Sequence, residues 1–380
     1  MSKLRIAYIM MTMGLEYDDR IRKEMFAMRE IADVEFKIFA FHADNHVERG
    51  VLSYGVPFEL VAVKGKGSKR TVISQLMKEY DFYSQIAPKV KDYDVLWVIC
   101  DQPFFFPLFS KKKMIWDLHE IPSLLIGSKL KNMVFHRMER RCPVFIHANQ
   151  ERLDYLTEIG VVKHPEKHLV LRNYPDQDWM SHAEDTPASY TAFKQWLGDS
   201  EYIYVQGLNT KGRYPVETLS AIMEAGTVKA VVLGRVPGDL MREFSSQYPN
   251  YADTIYFAGQ VIQKETAPFI AHCKFSMVFY STDQPNNRYC EPNRMFQCLA
   301  FGKPVIVGCN EPLKNVVDQY GNGIVLKGDG RSIEENRDAI QFMETNFLQY
   351  EQKAQQAKSC FKWESQANVF SSAFSTLGLL

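Results

Sequence analysis

The sequence has no long hydrophobic run, no net charge and no paired-cysteine motif, and each absence excludes a class of protein. Its longest apolar runs, such as residues 95–100, are far shorter than the roughly 18 apolar residues that a membrane span needs. The 45 Lys and Arg balance 45 Asp and Glu, so no strong field draws the chain to nucleic acid. The seven cysteines include no C-x-x-C pair, which disfavours a zinc ribbon or a disulfide framework. We therefore expect a cytoplasmic, globular chain without an export signal.

Two common nucleotide-binding motifs are also missing. No G-x-G-x-x-G follows a predicted strand, and the glycines of residues 64–71 lack the spacing of a phosphate-binding loop. His42 and His46 lie four residues apart, but no third candidate ligand is nearby. The sequence therefore predicts neither a dinucleotide cofactor nor a metal site.

Short apolar runs alternate with longer segments of helical period, which is the pattern of parallel sheets covered by helices. Strands are predicted at residues 4–10, 34–40, 95–100, 113–117, 144–148, 202–206, 229–233, 254–257, 275–279, 304–307 and 323–326. Residues 173–200 lose this periodicity and are rich in Pro, Asp and Ser, which indicates a change of domain. From Trp363 to Leu377 apolar residues recur every three or four positions, which predicts one long amphipathic helix. The pattern thus predicts an α/β chain of two domains.

Residues 287–307 are the most informative segment. Pro292 stands where a helix would begin, and Gly302 stands where it would end. The free N–H groups of such a helix start attract phosphate, and Arg294 adds further donors. The alternative is that the proline and the glycine only delimit a β-α-β unit.

This segment resembles the donor-binding signature of glycosyltransferase family 4, which is E-x7-E followed by A-x-G-x-P-V, in the variant with P-N-[KR] ahead of the helix. Further segments resemble the family pattern in the expected order, at residues 17–28, 114–122, 172–176 and 361–370. The resemblance implies the GT-B fold, in which two Rossmann-like domains face each other across a cleft and a C-terminal helix crosses back to the N-terminal domain. We expect an acceptor-side domain at 1–180, a nucleotide-sugar donor domain at 181–360 and the terminal helix at 361–380.

The match to the signature is incomplete. Gln297 occupies the position of the ribose-binding glutamate, and Tyr289 occupies that of the first glutamate. Gln297 is expected to bind ribose hydroxyls through its neutral amide. Glu291 replaces the first glutamate as a catalytic residue if the loop bulges; otherwise it only complements the helix dipole.

The remaining site residues follow from the resemblance. Stabilising the departing diphosphate is the main task in transfer from a nucleotide sugar. Its expected ligands are Gly207, Lys211, Arg213, Arg235 and Arg294, and Asn293 is a further expected substrate-binding residue. His119 is expected beside the transferred sugar as a catalytic residue, and Glu120 contacts the acceptor or supports the loop.

The resemblance implies a retaining, metal-independent hexosyl transfer to a glycan or a lipid-linked acceptor, in surface polysaccharide or glycoconjugate synthesis. Residues 111–141 hold eight Lys and Arg against three Asp and Glu, and the aromatic residues 104–109 precede them. This mixture suits peripheral contact with an anionic membrane at its cytoplasmic face, or else the aromatics are core and the lysines ordinary surface. Two other functions remain open, a catalytically silent partner of the same fold and a nucleotide-sugar epimerase. The base, the sugar, the acceptor and the linkage are open as well.

Overall fold

The structure is a computed structural model that describes residues 3–64, 72–99, 105–122 and 126–379. The chain divides into two compact units, Met1–Arg172 with Gln366–Leu380, and Asn173–Ser365. Most of the glycine-rich segment 64–71 lies outside the described residues, as do Cys100 and Phe104.

The first unit is built on an eight-stranded sheet. Its strands are β1 (Leu4–Thr12), β2 (Val34–His42), β3 (Glu48–Val51), β4 (Pro57–Leu60), β5 (Val95–Ile99), β6 (Met114–Leu118), β7 (Val144–His147) and β8 (His168–Val170). They are ordered β3-β4-β2-β1-β5-β6-β7-β8, and every neighbouring pair is parallel except β3 with β4. Every residue of β5 and β6 is buried, which is why β5 appears in the sequence as a continuous apolar run; β6 is apolar except for Asp117.

Five helices accompany this sheet before the chain enters the second unit. They are α1 (Asp19–Ile31), α2 (Val72–Ile86), α3 (Phe106–Phe109), α4 (Lys129–Arg141) and α5 (Gln150–Glu158). Side chains cap three of them, since Asp18, Ser128 and Asn149 accept hydrogen bonds from N–H groups in the first turns of α1, α4 and α5.

The second unit is built on a six-stranded, fully parallel sheet. Its strands are β9 (Tyr202–Gln206), β10 (Lys229–Leu233), β11 (Ile255–Gly259), β12 (Phe275–Val278), β13 (Val305–Val307) and β14 (Gly323–Val325). The order β11-β10-β9-β12-β13-β14 is the 3-2-1-4-5-6 order of a Rossmann sheet. In such sheets ligands bind beyond the carboxyl ends of the strands where the order reverses, here β9 and β12.

The helices of the second unit precede, connect and follow these strands. They are α6 (Gln177–Ser181), α7 (Ala188–Leu197), α8 (Pro215–Ala225), α9 (Gly238–Gln247), α10 (Ala267–Ala271), α11 (Pro285–Arg288), α12 (Asn293–Ala300), α13 (Glu311–Tyr320), α14 (Ile333–Thr345) and α15 (Phe347–Ala357). Helices α6 and α7 fall in the segment that lost its periodicity in the sequence. Tyr174 and Trp179 pack against the core of this unit, so the first unit ends at Arg172, whereas the sequence placed the change of domain at residue 180.

The C-terminal segment returns to the first unit. Helix α16 (Ala367–Thr376) packs against α1, and the Phe370 ring stacks on Trp97 with ring centroids 6.1 Å apart. The sequence predicted one helix starting near Trp363, but Trp363–Gln366 forms a separate 3₁₀ turn. The Trp363 N–H donates to the Pro175 carbonyl at 3.0 Å, which places Trp363 in the second unit. Among the described helices, none has the length and hydropathy needed to cross a bilayer.

Candidate functional site

Three adjacent strands of the second unit end in residues that form a cationic site. Gly207 follows β9, Gly234 follows β10, and Tyr280 lies two residues after β12. The Arg213 Nη1 donates to the Gly207 carbonyl at 3.0 Å, and the Arg294 Nη1 donates to the Tyr280 hydroxyl at 3.3 Å. The parallel sheet thus gathers two guanidinium groups at the carboxyl edge where its order reverses.

Tyr280 serves as a platform for both arginines. The Cζ atoms of Arg213 and Arg294 lie 4.8 Å and 5.0 Å from the centre of its ring, within the range of a cation–π contact. Among the described residues, neither guanidinium forms an ion pair with a carboxylate, and the buried Nε of Arg294 has no hydrogen-bond partner. A buried cation without an acidic partner is costly unless a ligand supplies the negative charge. The arrangement therefore fits an anionic ligand.

Gly207 makes the approach of these two cations possible. Its φ of +75° is unfavourable for other residues, and a Cβ there would lie 2.7 Å from Arg213 Nη1 and 2.9 Å from Arg294 Nη1. Any side chain at this position would push the guanidinium groups away from the strand end. The glycine proposed from the sequence and the two arginines thus lie at one point in space.

The start of α12 lies beside this point. Pro292 is its N-cap and provides no side-chain hydrogen bond, so the first N–H groups of the helix lack a capping side chain. Asn293 is exposed and its Oδ1 accepts from Asn173 at 2.8 Å, whereas Gln297, one turn further on, is 5% exposed. Glu291 is half-buried, two residues ahead of the helix.

The two other cations from the sequence are more exposed. Lys211 begins the 3₁₀ turn Lys211–Arg213, and Arg235 follows Gly234 at the end of β10. Both side chains are exposed to solvent. Lys211 and Arg235 lie at the same edge of the sheet as the Arg213–Arg294 pair. Among the described residues, neither of them contacts that pair directly.

A buried aspartate that the sequence did not indicate holds the cationic turn in place. Asp329 Oδ2 accepts from the Tyr214 hydroxyl at 2.8 Å and from the Thr282 N–H at 3.0 Å, and Arg331 pairs with it at 2.7 Å. Burial opposes ionisation of Asp329, but these partners outweigh it and hold its pKa well below the ordinary value. Tyr214 directly follows the turn and has a left-handed φ of 51°, which this network maintains. The sequence gives no signal for Asp329, because two of its partners, Tyr214 and Thr282, come from distant segments.

In the first unit, His119 follows β6 at the carboxyl edge of the sheet. Its side chain is 17% exposed, and its Nε2 lies 3.2 Å from Oδ2 of Asp117, which is fully buried within β6. The second oxygen, Oδ1, lies 3.3 Å from Arg20 Nη2, and Trp97 Nε1 donates to Oδ2 at 3.3 Å. The structure therefore supplies His119 with an acidic neighbour that is itself fixed from two sides.

The backbone of His119 is also held. Arg152, buried in α5, donates to the His119 carbonyl, and its Nη2 lies 3.1 Å from Glu120 Oε2. The Glu120 side chain remains 46% exposed. Glu120 thus supports the loop through Arg152 and keeps one side accessible to a ligand.

Glu24 completes the buried group around Asp117. Its Oε1 accepts from Arg20 Nε at 2.9 Å, and its Oε2 accepts from the Tyr8 hydroxyl at 3.2 Å. Burial and the nearby Asp117 charge raise the pKa of Glu24 well above the ordinary value. Burial also opposes ionisation of Asp117, but Arg20 and His119 outweigh it and lower its pKa. Burial and the neighbouring Asp117 thus favour the neutral form of Glu24, whereas Arg20 favours the charged form of Asp117.

These carboxyl groups and His119 could together hold a metal ion by type and spacing, since their ligand atoms all lie within 4.8 Å of one another. The guanidinium of Arg20, however, already lies 2.9 Å from Glu24 and 3.3 Å from Asp117. A bound cation would have to displace this internal positive charge. The donor set therefore fits an internal ion pair better than a metal site.

Solved structures similar to the whole chain are glycosyltransferases. HepE of Anabaena, in complex with UDP, has a TM-score of 0.72 at 14% identity and covers 99% of this chain and 100% of its own. Sucrose-phosphate synthase from Thermosynechococcus elongatus has a TM-score of 0.71 at 13% identity over 99% of both chains. A trehalose-6-phosphate protein of E. coli, bound to UDP-2-fluoro glucose, has a TM-score of 0.73 at 9% identity over 99% of both. No protein family and no curated protein matches the chain in sequence.

The fold and the comparisons with solved structures indicate the same class of protein fold. The chain has the GT-B glycosyltransferase fold, with two α/β units on parallel sheets, as the sequence resemblance predicted. At identities of 9–14% the comparisons establish this fold.

Proposed function

We propose that the chain is a retaining glycosyltransferase that moves a hexosyl group from a nucleotide-sugar donor to a glycan or a lipid-linked acceptor, in surface polysaccharide or glycoconjugate synthesis. The observation that carries this proposal is the pair of guanidinium groups above Gly207, which has no carboxylate partner among the described residues. A diphosphate brings the negative charge and the acceptor oxygens that this pair lacks.

The charges at this edge suit leaving-group stabilisation. Arg213 and Arg294 are fixed before the ligand arrives, and the start of α12 adds a partial positive charge beside them. Lys211 and Arg235 can fold onto the outer phosphate oxygens. We propose that these side chains neutralise the departing diphosphate, so that transfer needs no metal ion.

The other residues predicted from the sequence receive roles in the same scheme. Gln297 and Asn293, on α12, contact ribose and donor hydroxyl groups, and Glu291 contacts the transferred sugar. His119 and Glu120, in the first unit, act on the acceptor side. We take UDP as the first nucleotide to test, because UDP or a UDP-sugar is bound in the Anabaena and E. coli structures that share the fold.

The first prediction concerns the reaction itself. Without an acceptor, the protein is expected to hydrolyse a UDP-hexose slowly and to release a free sugar of retained anomeric configuration. A panel of UDP-, GDP- and ADP-hexoses should be compared by nucleotide release and by proton NMR of the early product. The control is the variant Arg213→Ala, which removes half of the cationic pair and is expected to abolish release.

Other results of this assay would support one of the two alternative functions. A sugar of changed stereochemistry at another carbon would show an epimerase. Nucleotide binding without any turnover, seen as thermal stabilisation by about 2.7 kcal/mol at 100 times the dissociation constant, would indicate a silent partner. Inverted product would contradict the proposed stereochemistry, and the absence of any nucleotide effect would contradict the site.

We further propose that the first unit touches an anionic membrane through α2 and α4. Leu130 and Met133 on α4 are both more than half exposed, next to the exposed cations Lys129, Arg137 and Arg140. Helix α3 contacts both α4 and α2, and α2 exposes Ile73, Met77 and Tyr80, spaced by four and three residues. Exposed apolar residues among cations are typical of helices that lie in a membrane surface.

A vesicle assay tests this contact. Replacing Leu130 and Met133 together by serine is expected to reduce partitioning onto vesicles of phosphatidylglycerol and phosphatidylcholine by about tenfold, since each exposed side chain loses part of the roughly 1.5–3 kcal/mol that full burial contributes. The control is Leu348→Ser, because Leu348 is more exposed than either residue but belongs to the second unit. Equal partitioning of both variants and the parent protein would contradict the proposal.

A further inference from the structure

Asp329, in the second unit, lies in a turn that is held on both sides. The carbonyl of Gly328 accepts from the Cys309 N–H at 2.9 Å, and the carbonyl of Gly330 accepts from Asn336 Nδ2 at 2.8 Å. These bonds tie the two chain neighbours of Asp329 to the loop after β13 and to helix α14. Because both neighbours are fixed, the carboxylate of Asp329 has little freedom to move.

The same turn packs closely against the end of β12. The φ of Gly330 is +103°, and a Cβ at this position would overlap the side chain of Phe279, which directly follows the strand. The glycine therefore lets the turn come closer to the strand end than a residue with a side chain would allow. Tyr280, on whose ring the two arginines lie, is the next residue along the chain.

The carboxylate of Asp329 binds two loops at once. Its Oδ2 accepts from the Tyr214 hydroxyl at 2.8 Å, and from the N–H and the hydroxyl of Thr282 at 3.0 Å and 3.2 Å. Tyr214 directly follows Arg213, and Thr282 lies two residues after Tyr280. One oxygen atom thus links the loop that carries Arg213 to the loop that carries the ring beneath it.

Arg331 fixes the orientation of this carboxylate. Its Nε donates to Oδ1 at 2.8 Å and its Nη2 donates to Oδ2 at 2.7 Å, so one guanidinium holds both oxygens in a bidentate pair. The same Nη2 lies 3.3 Å from Asp283, in the loop of Thr282. The two loops are also joined directly, since the Ser281 N–H donates to the Gly212 carbonyl at 2.7 Å.

We propose that Asp329 is a positioning residue of the cationic site, which holds Arg213 and Tyr280 in a fixed relative position so that the site is ready for a diphosphate before it binds. The left-handed backbone of Tyr214 is unfavourable for a residue with a side chain, so the turn is expected to relax when Asp329 no longer holds it. Relaxation would move Arg213 away from its place and lose the preorganisation of the site. This inference rests on the proposed function and gives Asp329 a role in ligand binding without a contact to the ligand.

Calorimetry with UDP, uridine and inorganic pyrophosphate tests this role. In Asp329→Asn the single amide oxygen cannot serve both Arg331 and the donors of Tyr214 and Thr282, because the amide nitrogen accepts no hydrogen bond. The affinities for UDP and pyrophosphate are expected to fall about tenfold or more, as a misplaced binding group would cause, whereas the affinity for uridine changes less than about twofold. Equal losses for UDP and uridine, or no loss for any of the three, would overturn the inference.

A milder variant applies if Asp329→Asn does not fold. Tyr214→Phe removes one hydroxyl and leaves Thr282 and Arg331 on the carboxylate. This variant is expected to weaken UDP binding about threefold with uridine binding unchanged, since one hydrogen bond to a charged group is lost. A folded Tyr214→Phe protein with the UDP affinity of the parent would overturn the inference.

A double-mutant cycle separates positioning from a general loss of stability. In an Arg213→Ala background, Asp329→Asn is expected to weaken UDP binding at most about threefold, because the group that it positions is already absent. The matched control is Glu335→Gln, since Glu335 accepts from the N–H groups of Lys327 and Gly328 at 2.6 Å and 3.2 Å and, among the described residues, contacts neither of the two loops. That variant should lower the melting temperature and keep the UDP affinity. Additive losses in the cycle, or an equal loss in Glu335→Gln, would show that Asp329 is merely structural.

The pyrophosphate measurement distinguishes this inference from the proposed function. If the parent protein binds pyrophosphate but no nucleotide, and Asp329→Asn weakens that binding, the proposed function fails while the role of Asp329 stands. If UDP binds and its affinity is the same in the variants, the role of Asp329 is wrong while the proposed function stands. If the parent protein binds neither ligand, both are wrong.

Discussion

Replacing Arg294 by methionine is expected to weaken UDP binding about 100-fold while uridine binding changes less than about threefold. Arg294 is 6% exposed, stacks on Tyr280 and has no acidic partner among the described residues, so its charge is available for a bound diphosphate. Hydrogen bonds to charged groups contribute about 1.5–3 kcal/mol each, and each 1.4 kcal/mol is a factor of ten in affinity. Isothermal calorimetry with UDP and uridine measures both constants.

The same substitution has an expected effect of opposite sign on the free protein. The buried Nε of Arg294 lacks a hydrogen-bond partner, and methionine fills a similar volume without a charge to desolvate. The melting temperature without ligand should therefore stay constant or rise. A rise in melting temperature in Arg294→Met would show that Arg294 destabilises the free protein. The arginine would then contribute to ligand binding and not to folding.

The control for Arg294 is Arg288, which ends the preceding helix α11. Arg288 is half exposed and already pairs with Glu311 at 3.0 Å, so Arg288→Ala should leave UDP affinity nearly unchanged. Equal losses for UDP and uridine in Arg294→Met would mean that Arg294 does not contact phosphate. An equal loss of UDP affinity in Arg288→Ala would mean that the effect comes from the overall electrostatic field and not from a contact between Arg294 and phosphate.

Replacing His119 by alanine is expected to lower the turnover of a UDP-hexose with its acceptor by about 100-fold or more, the range of a lost acid–base group. Donor affinity should change less than about threefold, because the donor contacts are assigned to the second unit and His119 belongs to the first. Steady-state kinetics and UDP calorimetry on the same preparation separate the two quantities.

A structural role of His119 predicts a different pattern. In that case activity would follow the folded fraction, and normal turnover per folded molecule would remove His119 from the active site. The control is His136→Ala, since His136 lies in the same unit and contacts the Gly160 carbonyl at 3.0 Å. That variant is expected to lose some stability but to keep its turnover.

The α/β fold could be predicted because buried parallel strands are continuous apolar runs. Short strands with exposed residues lack this pattern and were not predicted. Examples are β3, where no residue is fully buried, and β8, which has three residues. Helices α6 and α7 were not predicted, because their segment is rich in Pro, Asp and Ser. Tertiary contacts of Trp179 and Phe193 stabilise them in the folded chain.

The candidate site was predictable only where a turn or a helix end marks it. The Pro292 helix start has a local signature and Arg294 was proposed with it, whereas Gly207 and Arg213 were proposed from the family pattern. Tyr280 and Asp329 were missed, since a tyrosine after a strand and an aspartate in a glycine-rich turn have no distinctive local pattern.

By itself, the sequence determined that this protein forms parallel sheets and which loops follow their strands, because hydrophobic period and turn residues act over a few neighbouring positions. Only the tertiary structure decided which charged residues meet. Arg213 reaches Arg294 at Gly207, and Arg20 reaches Asp117 across 97 residues, because the sheet order brings distant strand ends to one edge. Charged residues are usually exposed, so the burial of Arg20, Glu24 and Arg294 does not follow from their residue types. The folded chain buries them, and burial gives these charges their strength.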